Sequence, residues 1–317
     1  MRAVEQVPAD RVRTPGPGRE TRPRTGTDHE PLRSEGRRAV SWLDVPGARL
    51  YYETSGSGPL LLLIAGGTDD ARDFAGVAPL LAPHFTLVVY DCRGVSRSSA
   101  TRPEHDVPIP TQADDARRIL QAVGTEPAYV FGSSSGAQTG LALAACHPEH
   151  VRALVAHEPP AVGLLPDGDP RRTVLGKVRD RYRREGVGAA METFVAGTGL
   201  RGAGDPGKQV PESPEAAVRT RERLERVERN LDFFLAHIVL PTATYLPDTT
   251  ALRSCRVPVA VGAGAASEGQ LAHDTALALA RDLVTKPVLF AGGHTGFVTH
   301  PTSFAATLRA TLRGLAP

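Results

Sequence analysis

Three serines in a row, Ser133, Ser134 and Ser135, lie between Gly132 and Gly136 in the stretch VFGSSSGAQTG. A serine hydroxyl becomes a nucleophile when the chain lifts it clear of its surroundings and a neighbouring base takes its proton. Only Ser134 has glycine at both −2 and +2. A serine on a tight strand-to-helix turn adopts strained backbone, and the residues two places away press against a neighbouring strand or helix, where glycine fits best. The apolar AYVF before it reads as a strand and AQTGLALAAC after it as a helix. The spacing therefore points to Ser134 as the nucleophile, with Ser133 and Ser135 as small flanking residues.

Ten histidines could supply the base. His294, in FAGGHTGF, directly follows the last apolar run, on a glycine loop able to carry an imidazole over the nucleophile. His300 precedes a proline at a helix start and reads as structural. His147 follows the helix after Ser134 and falls at the far end of the strands.

Positioning such residues takes a scaffold, and short apolar runs outline one. Ala48 to Thr54 alternates like a half-buried strand, and a GSG turn follows it. Leu60 to Ala65 and Phe85 to Tyr90 are continuous apolar runs of the kind that fill a parallel sheet buried on both faces. Ala128 to Phe131, Ala153 to Ala156, Val257 to Val261 and Pro287 to Phe290 continue the series, and residues 111–123 carry a helical pattern between them. Strand alternating with helix predicts an α/β fold, a mostly parallel sheet with helices on both faces. The alternation stops after Glu158. Up to Val257 no convincing strand occurs, only a Pro/Gly loop (162–170), a charged helical pattern (171–186), a second Gly/Pro loop (198–212) and an Arg/Glu helix (213–230). The apolar NLDFFLAHIV ends the series, and this segment is expected to form an inserted helical lid. The resulting division is a tail (1–40), a first core segment (41–160), the lid (161–250) and a second core segment (251–317).

Composition limits the partners. Residues 1–40 hold nine Arg against six acidic residues and show no apolar periodicity, so disorder is expected there. No apolar stretch follows their arginines, so a signal peptide is not expected. The rest carries 28 basic and 29 acidic side chains, a balance that argues against a dedicated nucleic-acid partner. The longest apolar run is far too short to cross a bilayer. Three scattered cysteines form neither a CxxC pair nor a zinc spacing and favour a reduced, cytoplasmic protein. No phosphate loop, metal cluster or dinucleotide fingerprint appears, so no cofactor or metal is expected. The expected partner is a small-molecule substrate, with the protein a monomer or homodimer.

Four features together resemble the α/β-hydrolase superfamily from about Gly47 onward: GSSSG, the loop YDCRGVSRS, the glycine pair after LLLIA, and the late GGH. The resemblance implies a serine–histidine–acid triad, a chain order of serine, acid, histidine, and an acyl-enzyme intermediate. It also implies that the loop Asp91 to Ser98 ties strand ends together through Asp91 and Arg93, with Cys92 inert. The acid departs from the common pattern. Relatives usually place an aspartate after the penultimate strand, here at about Ala265–Ser267, where no carboxylate stands. Glu268 is the nearest. The alternative, Glu158 in VAHEPP, matches a minority of the family similar to lactone hydrolases that open resorcylic macrolactones. Glu158 is the preferred acid and Glu268 the alternative.

The same resemblance implies an oxyanion hole of two backbone N–H groups, one on Ser135 at the helix start and one on Gly67 in IAGGTDD. The position of Ala65, often histidine in relatives, weakens support for that turn. An apolar patch of the lid, Phe233, Phe234, Leu235, Ile238 and Tyr245, is expected to bind a mainly apolar substrate. The leading expectation is hydrolysis of a carboxylic ester or lactone. Thioester hydrolysis, C–C bond hydrolysis and perhydrolysis share the same residues, because fold does not fix reaction. Epoxide and haloalkane chemistry needs an aspartate at the position of Ser134. A ligand-binding protein that kept the fold without catalysis is the reading from another class.

Overall fold

Leucines and valines facing both ways need a sheet covered on both sides, and the computed structural model has one. It describes residues 38–102, 105–200 and 211–315. Most of the expected tail and residues 201–210 of the second Gly/Pro loop lie outside these ranges. The strands are β1 (Ala39–Val45), β2 (Ala48–Gly56), β3 (Leu60–Ile64), β4 (Thr86–Tyr90), β5 (Ser99–Ala100), β6 (Ala128–Ser133), β7 (Val151–His157), β8 (Val259–Gly264) and β9 (Val288–Phe290). They form one sheet in the order β1-β2-β4-β3-β6-β7-β8-β9, with β5 added to β2. From β4 to β9 all neighbours are parallel, while β1, β2 and β5 pair antiparallel at the other edge.

The helices are α1 (Ala78–Leu81), α2 (Ile109–Val123), α3 (Ser135–Cys146), α4 (Val174–Thr198), α5 (Pro214–Phe233), α6 (Val239–Thr244), α7 (Thr249–Ser254), α8 (Leu271–Asp282), α9 (Gly296–Thr299) and α10 (Pro301–Leu315). Side chains of β3 divide by parity, as a pleated strand requires. Leu62 and Ile64 join α2, α3 and α8 in one core, and Leu61 and Leu63 join Phe74, Leu81 and α10 in a second core. The sheet is thus the middle of three layers.

Two boundaries differ from expectation. Strand β1 begins at Ala39, so residue 40 falls inside the fold and not in the tail. Its alternating half-buried and exposed side chains, with Trp42 46% exposed, gave little apolar signal beside an Arg-rich stretch. Helix α7 spans the expected end of the insertion at 250. Between β7 and β8 the described residues are helical or irregular. Helix α4 breaks at Gly186, whose φ of 83° suits glycine. The apolar run 230–239 is not one regular helix: α5 passes into a π-helical turn, Phe234–Ile238, before α6.

Candidate active site

Strand β6 delivers Ser134 to the carboxyl edge of the sheet, and α3 begins at the next residue. Ser134 has φ 57° and ψ −127°, a strained conformation for any residue with a side chain. The flanking glycines permit it. A Cβ on Gly132 would strike the Gly136 carbonyl, and one on Gly136 would strike the carbonyls of Ile64 and Ala65. The Ser134 amide donates to the His157 carbonyl at 2.9 Å, tying the turn to the end of β7.

Glu158 follows β7 immediately and is fully buried. Its φ of 48° lies in the left-handed region, and its amide is fixed to the Gly262 carbonyl at 3.0 Å. The carboxylate reaches in two directions. Oε2 pairs with His294 Nδ1 at 2.6 Å, and Oε1 accepts from the Gly264 amide at 2.7 Å and from the Ser267 hydroxyl. His273 Nδ1 stands 3.8 Å from Oε1. Burial alone would raise the Glu158 pKa. Attraction from His273, His294 and His157 outweighs it and holds the carboxyl well below its ordinary range. The pair shifts in opposite directions, since the same carboxylate raises the pKa of His273. Glu268 sits exposed on the cavity rim and makes no bond to His294.

His294, on the loop after β9, and Ser134 line one cavity of about 640 Å³. No direct hydrogen bond joins their side chains. Such bonds are often long before substrate binds and tighten in the reacting complex. Ser135, first residue of α3, presents an amide with no carbonyl one turn back to receive it. The Gly67 amide, expected as the second donor, already donates to the Ser135 hydroxyl at 2.7 Å. Gly67 has φ 35°, and the Phe234 ring lies 3.0 Å from where a Cβ would project.

The apolar wall is only partly the expected one. Phe234 lines the cavity together with Leu175, Met191, Phe194, Leu224 and Leu231. Phe233, Ile238 and Tyr245 do not. The Phe233 ring fills the space beside Gly94, Ile238 is buried in the core, and Tyr245 packs half-buried against that core. An apolar run names the residues that seek burial but not which face of an irregular helix meets the cavity.

Helix α5 is bound to the segment after β3 by polar contacts absent from the sequence reading. Arg223 of α5 pairs with Asp69 and Asp73, and Arg226 with Asp73 and Asp70. Asn230 Nδ2 donates to the Thr68 carbonyl at 2.8 Å, and its Oδ1 accepts from the Ser96 amide at 3.1 Å. Burial and the neighbouring carboxylate of Asp69 push Asp73 up to about 7. Ser267 was also missed. It ends the segment Ala265–Ser267 where the resemblance implied an acid, and its hydroxyl donates to Glu158 Oε1 instead. Asp91 binds Arg97 and the Ala71 amide, while Arg93 pairs with Asp115 of α2. Burial pushes the Cys92 thiol up to about 12, which leaves it un-ionised at neutral pH. Among the described residues no group of three or more His, Cys, Asp or Glu is arranged to hold a metal, and no helix is long and apolar enough to cross a membrane.

Residues 59–197 match a family model described as the alpha/beta hydrolase fold. An uncharacterized hydrolase of Bacillus subtilis, YraK, is 33% identical over 274 residues, covering 84% of this chain and 93% of that protein. A zearalenone hydrolase of Cladophialophora bantiana is 36% identical over 132 residues, 39% of this chain and 50% of that protein. In three dimensions an esterase from Thermogutta terrifontis superposes with a TM-score of 0.67 at 21% identity, covering 89% of this chain and all of that one.

Proposed function

The chain belongs to the α/β-hydrolase family, and from that premise we propose that it hydrolyses carboxylic esters or lactones through a serine-bound acyl intermediate. The observation that carries the reading is the 2.6 Å bond between buried Glu158 and His294 Nδ1, at the cavity that holds the strained Ser134. An ionised acid on Nδ1 fixes the imidazole tautomer so that Nε2 is the free acceptor. Nε2 then takes the Ser134 proton as Oγ attacks the carbonyl carbon. Negative charge gathers on the former carbonyl oxygen, facing the start of α3 and the Gly67 turn, where fixed dipoles stabilise it. Collapse expels the alcohol, which receives its proton from His294. Water, deprotonated by the same imidazole, releases the acid and restores Ser134.

Lactones enter the proposal on two grounds. The acid comes from the end of β7 and not from the end of β8, and the zearalenone hydrolase relative is named for acting on a lactone. A lactone leaves its alcohol attached to the acyl group, so hydrolysis yields a single hydroxy acid. A cavity of about 640 Å³ walled by leucine, methionine and phenylalanine suits a mainly apolar substrate.

The test combines fluorophosphonate labelling, peptide mapping and turnover of p-nitrophenyl esters and aromatic lactones. A single adduct on Ser134, with turnover abolished by Ser134→Ala, is expected. No adduct and no turnover would instead favour a binding protein on this fold.

A further inference from the structure

We propose that the side-chain hydroxyl of Ser135, and not the amide of Gly67, is the second donor to the oxyanion. The inference rests on the serine-hydrolase reading above and deepens it. Two amides converging on one oxygen require both N–H groups to be available. Here the Gly67 N–H is already directed at Ser135 Oγ, 2.7 Å away. A hydroxyl that accepts in this way still has one proton to give. Among the described residues that proton finds no acceptor, although Ser135 is only 3% exposed. Ser135 and Ser134 line the same cavity, so a carbonyl held at Ser134 Oγ comes to rest beside the residue that carries the spare donor.

The arrangement is held firmly. Ser135 opens α3, and its own carbonyl accepts from Thr139 Oγ1 at 3.1 Å. The Gly67 side is closed by the Asp69 amide donating to the Gly66 carbonyl at 2.7 Å, and by the Asn230 bond to Thr68. With both ends anchored, moving the hydroxyl out would leave the Gly67 amide without its protein partner. Keeping it in place produces a chain, Gly67 N–H to Ser135 Oγ–H to the oxyanion, in which each bond polarises the next. No proton is transferred along it. The Ser135 amide donates to the same oxygen, so one residue supplies both donors.

The experiment compares the wild type with Ser135→Ala and Ser135→Thr on a p-nitrophenyl ester, and adds an alkyl trifluoromethyl ketone that captures Ser134 as a tetrahedral oxyanion. Loss of one such donor lowers kcat by roughly 10²–10³ with KM nearly unchanged. The same factor is expected in ketone affinity, while a carboxylic acid product binds as before and Thr restores much of the rate. Should the Ala variant fail to fold, Ser135→Cys, of similar size but a weak donor, is read in the same way. A kcat in the variant equal to or above that of the wild type would overturn the assignment, since the freed Gly67 amide would then be serving directly. Equal losses of ester, ketone and product binding would overturn it too, by making the residue a packing element. Absence of turnover in the wild type would defeat the hydrolase proposal together with this one, whereas the variant results bear on Ser135 alone.

Discussion

Glu158 carries two burdens at once, a left-handed backbone and a buried charge, and each of its oxygens has a separate duty. Oε2 orients His294, and Oε1 is held by Gly264, Ser267 and the nearby His273. Replacing it by Gln keeps the shape but offers His294 a neutral partner that can present an amide in place of an acceptor. Glu158→Gln is therefore expected to lower kcat by roughly 10³–10⁴ with KM little changed. Glu268→Gln, at an exposed rim position, should stay within about twofold of the wild type. Steady-state kinetics on both variants check the pair of outcomes, and a large loss at Glu268 alone would reverse the assignment. Ser134 and His294 were legible because glycine spacing and a post-strand loop are local signals. The second oxygen's partners were not, because Ser267 and His273 reach Glu158 from more than a hundred residues away in the chain.

Helix α5 shows what an element does that its composition does not declare. Its Arg/Glu pattern predicts a helix over 213–230, and the helix exists at Pro214–Phe233. Arg223, Arg226 and Asn230 recur at three and seven residues from the first, which puts them on one face. That face meets Asp69, Asp70, Asp73, Thr68 and Ser96, so the helix is anchored to the turn that carries Gly67. Helical periodicity revealed the element, but the carboxylates that receive it lie about 150 residues earlier, in a loop with no period to read. A buried pair broken on one side leaves an uncompensated charge. Arg226→Ala should therefore destabilise the protein by about 3–5 kcal/mol, read as a drop in denaturant midpoint, and lower kcat through the loosened turn. An unchanged midpoint with altered activity would mean instead that α5 is a loosely attached flap.

Acid stability of the whole molecule turns on His157, which sits in the middle layer one residue before Glu158. Its ring is fully buried among Phe131, Phe290 and Phe304, and neither nitrogen has a hydrogen-bond partner among the described residues. Burial pushes its pKa down to about 4, aided by repulsion from His294 and His273 and opposed by Glu158. An unfolded histidine titrates near 6.5. Between those values the unfolded chain binds a proton that the folded chain refuses, so stability falls as pH drops from about 6.5 towards 4. The full window is worth about 3 kcal/mol. Asp73, raised to about 7, and His273, also raised, act in the opposite sense: their contributions are greatest in acid and fade as pH rises. The total slope is therefore a poor measure of any one group, and the difference between two proteins is the sound one. His157→Phe substitutes an apolar ring for an imidazole already surrounded by phenylalanines. Chemical denaturation of wild type and variant at intervals from pH 7.5 to 4.5 should show the variant gaining on the wild type steadily below about pH 6.5. Parallel curves across that range would show that the His157 ring is protonated or solvated in the folded state, and that the core beneath Glu158 is wetter than its aromatic packing implies.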